Sequence, residues 1–328
     1  MTSQRAVSGT VRIGTRGSPL ALAQANMFAA LIAEASHGGI ATVLHTFTTT
    51  GDKILDRPLQ EAGGKGLFTK ELDRAQELGE IDIAVHSLKD VTVTLPDHLY
   101  LATFLEREDP RDCLIGPVGS LADLPHGAVV GSSSLRRQAQ LLAARPDLKV
   151  VMFRGNVQTR LRKLAEGEAQ ATILAAAGLR RLGMIDKAAG ILEIDEMLPA
   201  AGQGIIGATL RMDAPDWLKE LAAKLDNEEA RLAALAERAF LRKLDGSCRT
   251  PIAAHFRLTP EGAEMAGELL AEDGSKRWRA EGLIEGRPST FDVEVLGSAL
   301  GEDVAAERAY EQEGIARPDD GDEEDAGA

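Results

Sequence analysis

Arginines cluster where the predicted helices begin, and this pattern indicates a site for a ligand with several negative charges. The arginines concerned are Arg16, Arg136, Arg137, Arg154 and Arg160, and Arg181 is added from the end of the Gly-Leu-Arg-Arg-Leu-Gly turn. Guanidinium groups bind carboxylates and phosphates through paired, charge-assisted hydrogen bonds. Helix N-termini add free N–H groups and a favourable dipole, and the hydroxyls of Ser132, Ser133 and Ser134 are further possible donors. The alternative is that these arginines lie on the surface or form structural ion pairs.

Asp90 is the side chain best suited to acid/base chemistry or to stabilising a cation. It follows a predicted strand, at the exit where Ser87 and Lys89 also reach a cleft. The sequence has six histidines, with no i,i+4 pair and no Cys-x-x-Cys, so we predict no metal site. His86 is expected to pack within its strand. The alternative for Asp90 is a surface carboxylate paired with Lys89.

Cys248 is the candidate for covalent attachment of a ligand. It lies in Gly246-Ser247-Cys248-Arg249, between a predicted long helix and a strand. Small neighbours should leave the thiol accessible, and the adjacent arginine should stabilise its thiolate. The alternative is a buried cysteine that serves as a small apolar residue. Cys113 is assigned no role.

Gly63-Gly64-Lys65-Gly66 is a glycine-rich loop that carries one lysine. It is not a P-loop, because it lacks the required spacing and the Lys-Ser/Thr ending. Two interpretations remain open: a flexible turn, or a mobile loop that closes Lys65 over an anion.

Composition and charge restrict the classes of protein that these groups can serve. The 328 residues suffice for two or three domains, and two cysteines do not suggest a disulfide scaffold. No apolar run suits a membrane helix or a secretory signal, so we expect a cytoplasmic protein. The net charge is −14, of which residues 302–328 contribute −9, whereas residues 128–165 carry +7. Overall acidity and 4% aromatics argue against nucleic-acid binding through that basic segment.

Strands and helices alternate through the first two thirds of the chain. Strands are predicted over residues 11–14, 43–50, 81–85, 128–131, 149–153 and 171–175. Helices are predicted from Ser18-Pro19 and over residues 69–78, 135–144, 157–165 and 178–182. This alternation predicts doubly wound α/β sheets with mainly parallel strands, whose ligands lie beyond the carboxyl ends of the strands. A Gly-x-Gly-x-x-Gly dinucleotide motif after a strand is absent, which excludes a typical dehydrogenase.

The pattern changes after Met212 to that of a small α+β domain. Helices are predicted over residues 227–243 and 291–310, and strands over residues 252–258, 265–271 and 277–284. Asp273-Gly274 is a strong hairpin signal between the last two strands. Residues 314–328 are acidic, have Ile315 as their one large apolar residue, and are expected to be disordered.

Nine motifs occur in an order that resembles the porphobilinogen deaminase (hydroxymethylbilane synthase) family, over about residues 10–312. They begin at Ile13, Gly63, Val85, Glu106, Ser133, Arg154, Ala176, Leu198 and Leu244. The best defined are Val85-His86-Ser87-Leu88-Lys89-Asp90 and Arg154-Gly155-Asn156-Val157-Gln158-Thr159-Arg160. Ser247 departs from the glycine that the family usually has before its cysteine.

The resemblance implies two periplasmic-binding-protein-like α/β domains followed by a small α+β domain. Domain 1 would comprise residues 1–105 and 200–222, domain 2 residues 106–199, and domain 3 residues 223–313, before the acidic tail 314–328. The family joins four porphobilinogen molecules into a linear tetrapyrrole, releases ammonia and is monomeric. It carries a dipyrromethane cofactor, which here would be linked by a thioether to Cys248.

The resemblance also implies residue roles in a cleft between the first two domains, with Asp90 as the catalytic carboxylate. Cofactor-binding residues would be Cys248, Ser87, Lys89, Ser134, Arg136, Arg137, Arg154, Gly155 and Arg160. Substrate-binding residues would be Arg16, Ser18, Lys65, Phe68, Arg154, Arg160, Arg181 and Gln203.

These implied roles agree with the chemistry of the substrate. Each porphobilinogen ring carries an acetate and a propionate, so many arginines are needed to hold a growing chain. Loss of ammonia leaves a cation that a carboxylate can stabilise. The alternative from the residues alone is a bilobal protein that binds an anion without chemistry, because fold does not decide function.

Overall fold

The structure, a computed structural model, describes residues 9–54, 66–244, 246 and 250–313. In chain order the strands are β1 (Gly9–Arg16), β2 (Ile40–Phe47), β3 (Ile83–Ser87), β4 (Leu99–Phe104), β5 (Asp112–Ile115), β6 (Val129–Ser132), β7 (Lys149–Met152), β8 (Ala171–Ala175), β9 (Gly190–Ile191), β10 (Ile206–Arg211), β11 (Ile252–Thr259), β12 (Gly262–Leu270) and β13 (Arg277–Glu285). The helices are α1 (Pro19–Ala35), α2 (Thr50–Lys53), α3 (Lys70–Glu77), α4 (Leu135–Ala144), α5 (Val157–Ala165), α6 (Ala176–Arg181), α7 (Asp216–Lys224), α8 (Glu228–Lys243) and α9 (Thr290–Glu313). Within these described residues, no helix combines the length and apolarity that crossing a membrane requires. The tail 314–328, predicted to be disordered, lies outside them.

The first sheet has the strand order β2-β1-β3-β10-β4. β1 pairs in parallel with β2 and β3, whereas β10 is antiparallel to β3 and β4. Ile13 and Val85 pack on the side of α1 and α7, and Ala84 packs on the opposite side with Leu72 of α3. Helices therefore cover both faces, as the predicted doubly wound arrangement requires.

The second sheet repeats this plan in the order β7-β6-β8-β5-β9. β6 is parallel to β7 and β8, and β5 is antiparallel to β8 and β9. Leu114 packs with Leu141 of α4 on one face, while its neighbour Cys113 packs with Leu161 of α5 on the other. Successive strand residues point to opposite faces, so one strand contributes to two layers of core.

The prediction that the strands are mainly parallel is confirmed, and each sheet has one strand that runs against the others, β10 in the first and β5 in the second. Both strands adjoin the connections between the sheets, because residues 105–111 lead from β4 into β5 and residues 192–205 lead from β9 to β10. A strand that enters from the other sheet is not joined to its neighbours by the right-handed crossover that keeps βαβ strands parallel. Its direction is set by the side from which the chain arrives.

The third sheet is the antiparallel β11-β12-β13, covered by α8 and α9. Phe240 of α8, Phe256 of β11 and Trp278 of β13 lie in their shared core. The predicted hairpin at Asp273-Gly274 is confirmed: Gly274 has φ 73° and donates to Ala271 O at 2.9 Å. The three sheets confirm the predicted class of two α/β units followed by a small α+β unit.

Capping groups explain where the helices begin. The predictions for α4 and α5 are confirmed, and Ser18 caps α1 with Pro19 in the first turn, as predicted. The strand predicted over residues 43–50 ends instead at Phe47. The cause is a capping box in which Thr49 Oγ1 accepts from Asp52 N, while Asp52 Oδ2 accepts from Thr49 N at 3.2 Å.

Glu237 of α8 joins both inter-sheet connections to the third unit. Its fully buried carboxylate accepts hydrogen bonds from Arg107 Nη1 at 2.6 Å, from Gly202 N at 2.6 Å and from Phe256 N at 2.8 Å. Arg107 also donates to Gln203 O at 2.9 Å. Because Arg107 lies in the first connection and Gly202 in the second, one carboxylate fixes both against β11.

Replacing Glu237 by glutamine is expected to lower the free energy of unfolding by about 3 kcal/mol, because it leaves a mostly buried guanidinium without its counter-charge. Urea unfolding of the purified protein measures this change. Glu264→Gln is the matched control, since Glu264 pairs with Arg257 on the surface with half of its side chain exposed. That control should cost about 1 kcal/mol or less. Equal losses in the two variants would contradict the buried role of Glu237.

Candidate active site

A cavity of about 890 Å³ is bounded by residues of all three units. The first unit contributes Arg16, Ser18, Phe68, Lys89 and Asp90; the second contributes Ser134, Arg136, Arg137, Arg154, Gly155 and Arg160; the third contributes Leu241, Arg242, Gly246, Thr250 and Ile252. Gln203, from the second connection between the sheets, also lines it. Most of the residues predicted for the site are therefore brought to one place.

Three helices begin at this cavity. Ser18 caps α1 by accepting from Ala21 N at 3.3 Å, Ser134 caps α4, and Asn156 caps α5 by accepting from Thr159 N at 2.9 Å. The helices follow β1, β6 and β7, so the cavity lies beyond the carboxyl ends of parallel strands. Three helix N-termini give the cavity a positive field before any side-chain charge is counted.

Gly155 allows the turn into α5 to form. Its φ is +117°, in the region that favours glycine, and a Cβ there would lie 2.6 Å from Thr159 Cγ2. The turn places Arg154 on one side and α5 on the other. A larger residue would displace the start of the helix.

Asp90 ends the 3-10 turn Leu88–Asp90 directly after β3. Arg16 Nη1 donates to Asp90 Oδ2 at 3.3 Å, and the Phe68 ring centre lies 4.4 Å from the guanidinium carbon of Arg16. In the part of the chain that the structure describes, this is the hydrogen bond that Asp90 receives, so its second oxygen is free to face a ligand.

Asp52 is a second carboxylate in the cavity, and sequence reasoning missed it. Arg16 Nε donates to Asp52 Oδ2 at 3.2 Å, and Thr49 donates from its hydroxyl at 2.7 Å. Burial alone would raise the pKa of Asp52, but the hydrogen bonds from Arg16 and Thr49 lower it below the usual value. Asp52 thus accepts hydrogen bonds from both Arg16 and Thr49, whereas Asp90 accepts one from Arg16 among the described residues. The capping-box spacing from Thr49 was the signal that could have located it.

Arg154 and Arg160 are cations without a carboxylate partner among the described residues. Arg154 is 8% exposed and donates from Nη2 to Ile54 O at 3.0 Å, while its buried Nε has no hydrogen-bond partner there. Arg160 donates from Nε to Gly155 O at 3.1 Å. Burial, together with repulsion from Arg137 and Arg154, lowers the pKa of Arg160 to about 10. Both remain charged at neutral pH, and the cavity therefore favours an anionic ligand.

Arg136 and Arg137 differ from Arg154 and Arg160, because both donate to the carboxylate of Asp112 in β5. Their Nη2 atoms each donate to this fully buried carboxylate at 2.7 Å. Although burial opposes ionisation, the two arginines hold the pKa of Asp112 well below its usual range. The Nε atom of each arginine is buried and has no partner among the described residues. Sequence reasoning gave Asp112 no role, because its partners lie more than twenty residues away.

Lys89 and Gln203 continue this network. Lys89 Nζ donates to Gln203 Oε1 at 3.0 Å, and Gln203 Nε2 donates to Asp112 Oδ1 at 2.9 Å. Burial and the nearby Arg137 lower the pKa of Lys89 to about 8. A bound carboxylate would raise this pKa again, so Lys89 is suited to an anionic ligand.

Four predicted residues are not placed in the cavity wall. Ser87 shares hydrogen bonds of 2.9 and 3.0 Å with the side-chain amide of Gln24, and Arg181 donates to Gly204 O at 2.6 Å. Lys65 and Cys248 lie outside the described residues. Their described neighbours Gly66, Gly246 and Thr250 do line the cavity.

His86 and Cys113 are structural residues. His86 is buried with Nε2 3.3 Å from Thr209 Oγ1, and burial lowers its pKa to about 4, which agrees with the predicted packed strand histidine. Burial raises the pKa of the Cys113 thiol to about 11. Within the described residues, no group of three or more His, Cys, Asp and Glu side chains is arranged to hold a metal ion.

Two family models match most of the chain. The porphobilinogen deaminase dipyrromethane cofactor binding domain matches residues 11–220, and the porphobilinogen deaminase C-terminal domain matches residues 231–307. Porphobilinogen deaminase of Paracoccus denitrificans is 50% identical over 310 residues, covering 94% of this chain and 96% of its own. The chloroplastic porphobilinogen deaminase of Oryza sativa is 50% identical over 304 residues, covering 90% of this chain and 83% of its own.

Solved structures to which the chain is similar include TRAP periplasmic solute binding proteins. The protein from Desulfovibrio salexigens is 12% identical with a TM-score of 0.44, and covers 95% of this chain and 99% of its own. The protein from Ochrobactrum anthropi is 11% identical with a TM-score of 0.42, and covers 94% of each chain.

Proposed function

The chain belongs to the porphobilinogen deaminase family, and we propose that the arginine-lined cavity is its active site, with Asp90 as the catalytic carboxylate. The enzyme is a transferase of porphyrin and haem biosynthesis. It joins four porphobilinogen molecules into hydroxymethylbilane, releases ammonia and uses a dipyrromethane cofactor. Membership of this family argues against the alternative, a protein that binds an anion without catalysing a reaction.

The observation that carries the proposal is the set of buried donors that lack partners within the described residues. Arg136 Nε, Arg137 Nε, Arg154 Nε and Ser133 Oγ are all of this kind, and all four residues line the cavity. Leaving such groups unpaired is costly, and carboxylates are the acceptors that would satisfy them. Two pyrrole rings with an acetate and a propionate each bring four carboxylates, so the donors fit a dipyrromethane.

Cys248 is proposed as the attachment site of the cofactor. The sequence has two cysteines, and Cys113 is fully buried in β5 with a raised thiol pKa, which makes it a poor nucleophile. Gly246 and Thr250, on either side of Cys248, both line the cavity. When bound, the cofactor supplies the pyrrole carbon to which the first substrate ring is joined.

Asp90 is proposed to stabilise the positive charge that develops on porphobilinogen as ammonia leaves. Arg16 Nη1 donates to one oxygen of Asp90, so the other oxygen can face the substrate. The same carboxylate can hold the proton lost when a new ring is joined. Asp52 holds Arg16 in place from the opposite side.

The remaining residue roles divide by position around the cavity. Ser134, Arg136, Arg137, Gly155 and Lys89 are proposed to bind the cofactor, and Ser87 would act through its contact with Gln24. Arg16, Ser18, Lys65, Phe68 and Gln203 are proposed to bind the substrate, and Arg154 and Arg160 to bind both. Arg181, also proposed for the substrate, lies outside the cavity wall and would act through its contact with Gly204. The proposed domains are residues 1–105 with 200–222, residues 106–199 and residues 223–313. We also propose that the protein is a cytoplasmic monomer that binds neither nucleic acid nor membrane.

Replacing Arg154 by methionine tests the anion site. A lost charge-assisted hydrogen bond is worth about 1.5–3 kcal/mol, so kcat/KM for porphobilinogen should fall roughly 10- to 100-fold. The matched control is Arg257→Met, which removes an exposed guanidinium of β11 that does not line the cavity. Steady-state rates of both variants decide the question. Wild-type kcat/KM in Arg154→Met would show that the substrate carboxylates bind elsewhere.

A further inference from the structure

Arg238 of α8 is a buried guanidinium that contacts the segment directly after Asp90. It is 6% exposed and donates to three consecutive carbonyl groups: Val91 O at 3.3 Å, Thr92 O at 2.7 Å and Val93 O at 2.9 Å. Among the described residues, no carboxylate forms a salt bridge with it. Burial, followed by repulsion from Arg242, lowers the pKa of Arg238 to about 10, so it remains charged at neutral pH.

The turn that carries Asp90 is held on both sides. On the N-terminal side, Leu88 N donates to Ile205 O at 3.0 Å, and β3 continues the pairing with β10. On the C-terminal side, in the described part of the structure, the hydrogen bonds that reach residues 91–94 from elsewhere in the chain come from Arg238. Residues 91–94 also line the cavity.

The third unit therefore contacts a segment of the first unit that lines the cavity. The helix α8 that carries Arg238 ends at Lys243, and the chain then reaches Gly246 and Thr250 at the cavity wall. The same helix contacts the segment after Asp90 and ends five residues before Cys248 in the sequence. A rigid helix can keep the distance between two such points constant while a ligand grows between them.

We propose that Arg238 is a positioning residue that sets the location of Asp90 relative to the bound chain. The proposal rests on the function proposed above for Asp90 and Cys248. A guanidinium suits this task because its planar, divergent N–H groups can contact several carbonyl oxygens at once, which a lysine ammonium does less well. Because the role is geometric, it should affect the rate of ring addition rather than the binding of the substrate.

The test uses the holoenzyme variants Arg238→Met and Arg238→Lys with porphobilinogen. Intact mass spectrometry of quenched samples follows each addition of a pyrrole unit. Since a misplacement of about 1 Å can cost 100-fold in rate, we expect Arg238→Met to slow every addition by at least about tenfold. KM should change by less than about twofold, and Arg238→Lys should recover part of the rate. All additions should slow by a similar factor, because Asp90 serves each of them.

The matched control is Arg231→Met on the same helix. Arg231 donates to Ala102 O at 3.3 Å and to Asp226 Oδ2 at 2.7 Å, away from the cavity, so its loss should leave the addition rates within about twofold of wild type. If Arg238→Met does not fold, Arg238→Lys carries the test.

The proposal is overturned if the folded Arg238 variants add rings at the wild-type rate. It is also overturned if one addition alone is slowed, because that would indicate direct contact with a carboxylate of the growing chain. A wild-type enzyme that carries no bound pyrroles and never gains any would instead refute the proposed function itself.

Discussion

Asp90→Asn is expected to abolish nearly all turnover while leaving the fold intact. The amide keeps the shape of the side chain but carries no charge. It therefore cannot stabilise the cation formed as ammonia leaves, and it cannot accept the proton released when the new ring is joined. Loss of a general acid/base or charge-stabilising group costs about 10²–10⁴ in rate. The fold should survive because Asp90 is partly exposed and its contact with Arg16 spans 3.3 Å. Steady-state kcat with porphobilinogen, beside the thermal midpoint, measures both effects.

Asp52→Asn is the matched comparison for that experiment. Both carboxylates line the cavity and contact Arg16, but Asp52 is also bound by Thr49. Its loss should release Arg16 and raise KM more than it lowers kcat. Normal turnover in Asp90→Asn, or a larger loss of kcat in Asp52→Asn, would show that Asp90 is not the catalytic carboxylate.

Cys248→Ala is expected to yield protein with no covalently bound dipyrromethane and no turnover. A thioether needs a sulfur nucleophile, and an alanine methyl group cannot supply one. Intact mass spectrometry of the purified variant should give the mass of the polypeptide alone, whereas the wild type should be heavier by two pyrrole units.

Cys113→Ala is the control for the attachment site. Cys113 is fully buried between β8 and β9, and its raised thiol pKa opposes reaction. This variant should still carry the dipyrromethane increment. Bound dipyrromethane on Cys248→Ala, or its loss in Cys113→Ala, would contradict the assignment.

The accuracy of the predicted elements depended on how local their signals are. The bounds of α4 and α5 were predicted correctly, and in the structure the groups that start these helices are local, since Ser134 caps α4 and Asn156 caps α5. β5 and β10 were not predicted. β5 begins with the charged Asp112, and β10 contains small residues buried on both faces, so neither alternates as an exposed strand does. Their partners lie far along the chain, and no local pattern encodes that pairing.

For the site, the local sequence identified which arginines are present but not which of them pair with a carboxylate. Arg136, Arg137, Arg154 and Arg160 look alike as helix-end arginines. The structure distinguishes them, because Asp112 forms a salt bridge with each of the first two, whereas the last two have no carboxylate partner among the described residues. That difference depends on which carboxylate folds next to which guanidinium.

The sequence by itself determined the chemical inventory of this protein: two cysteines, a basic segment at helix N-termini, and nine motifs in the order of one family. Side-chain type and local spacing are properties of the chain before it folds, so they can be read directly. The tertiary structure alone decided that Asp52 holds Arg16 while Asp90 keeps a free oxygen, and that Arg238 holds the segment beyond it. These outcomes depend on burial and on contacts across more than thirty residues, which local pattern does not specify.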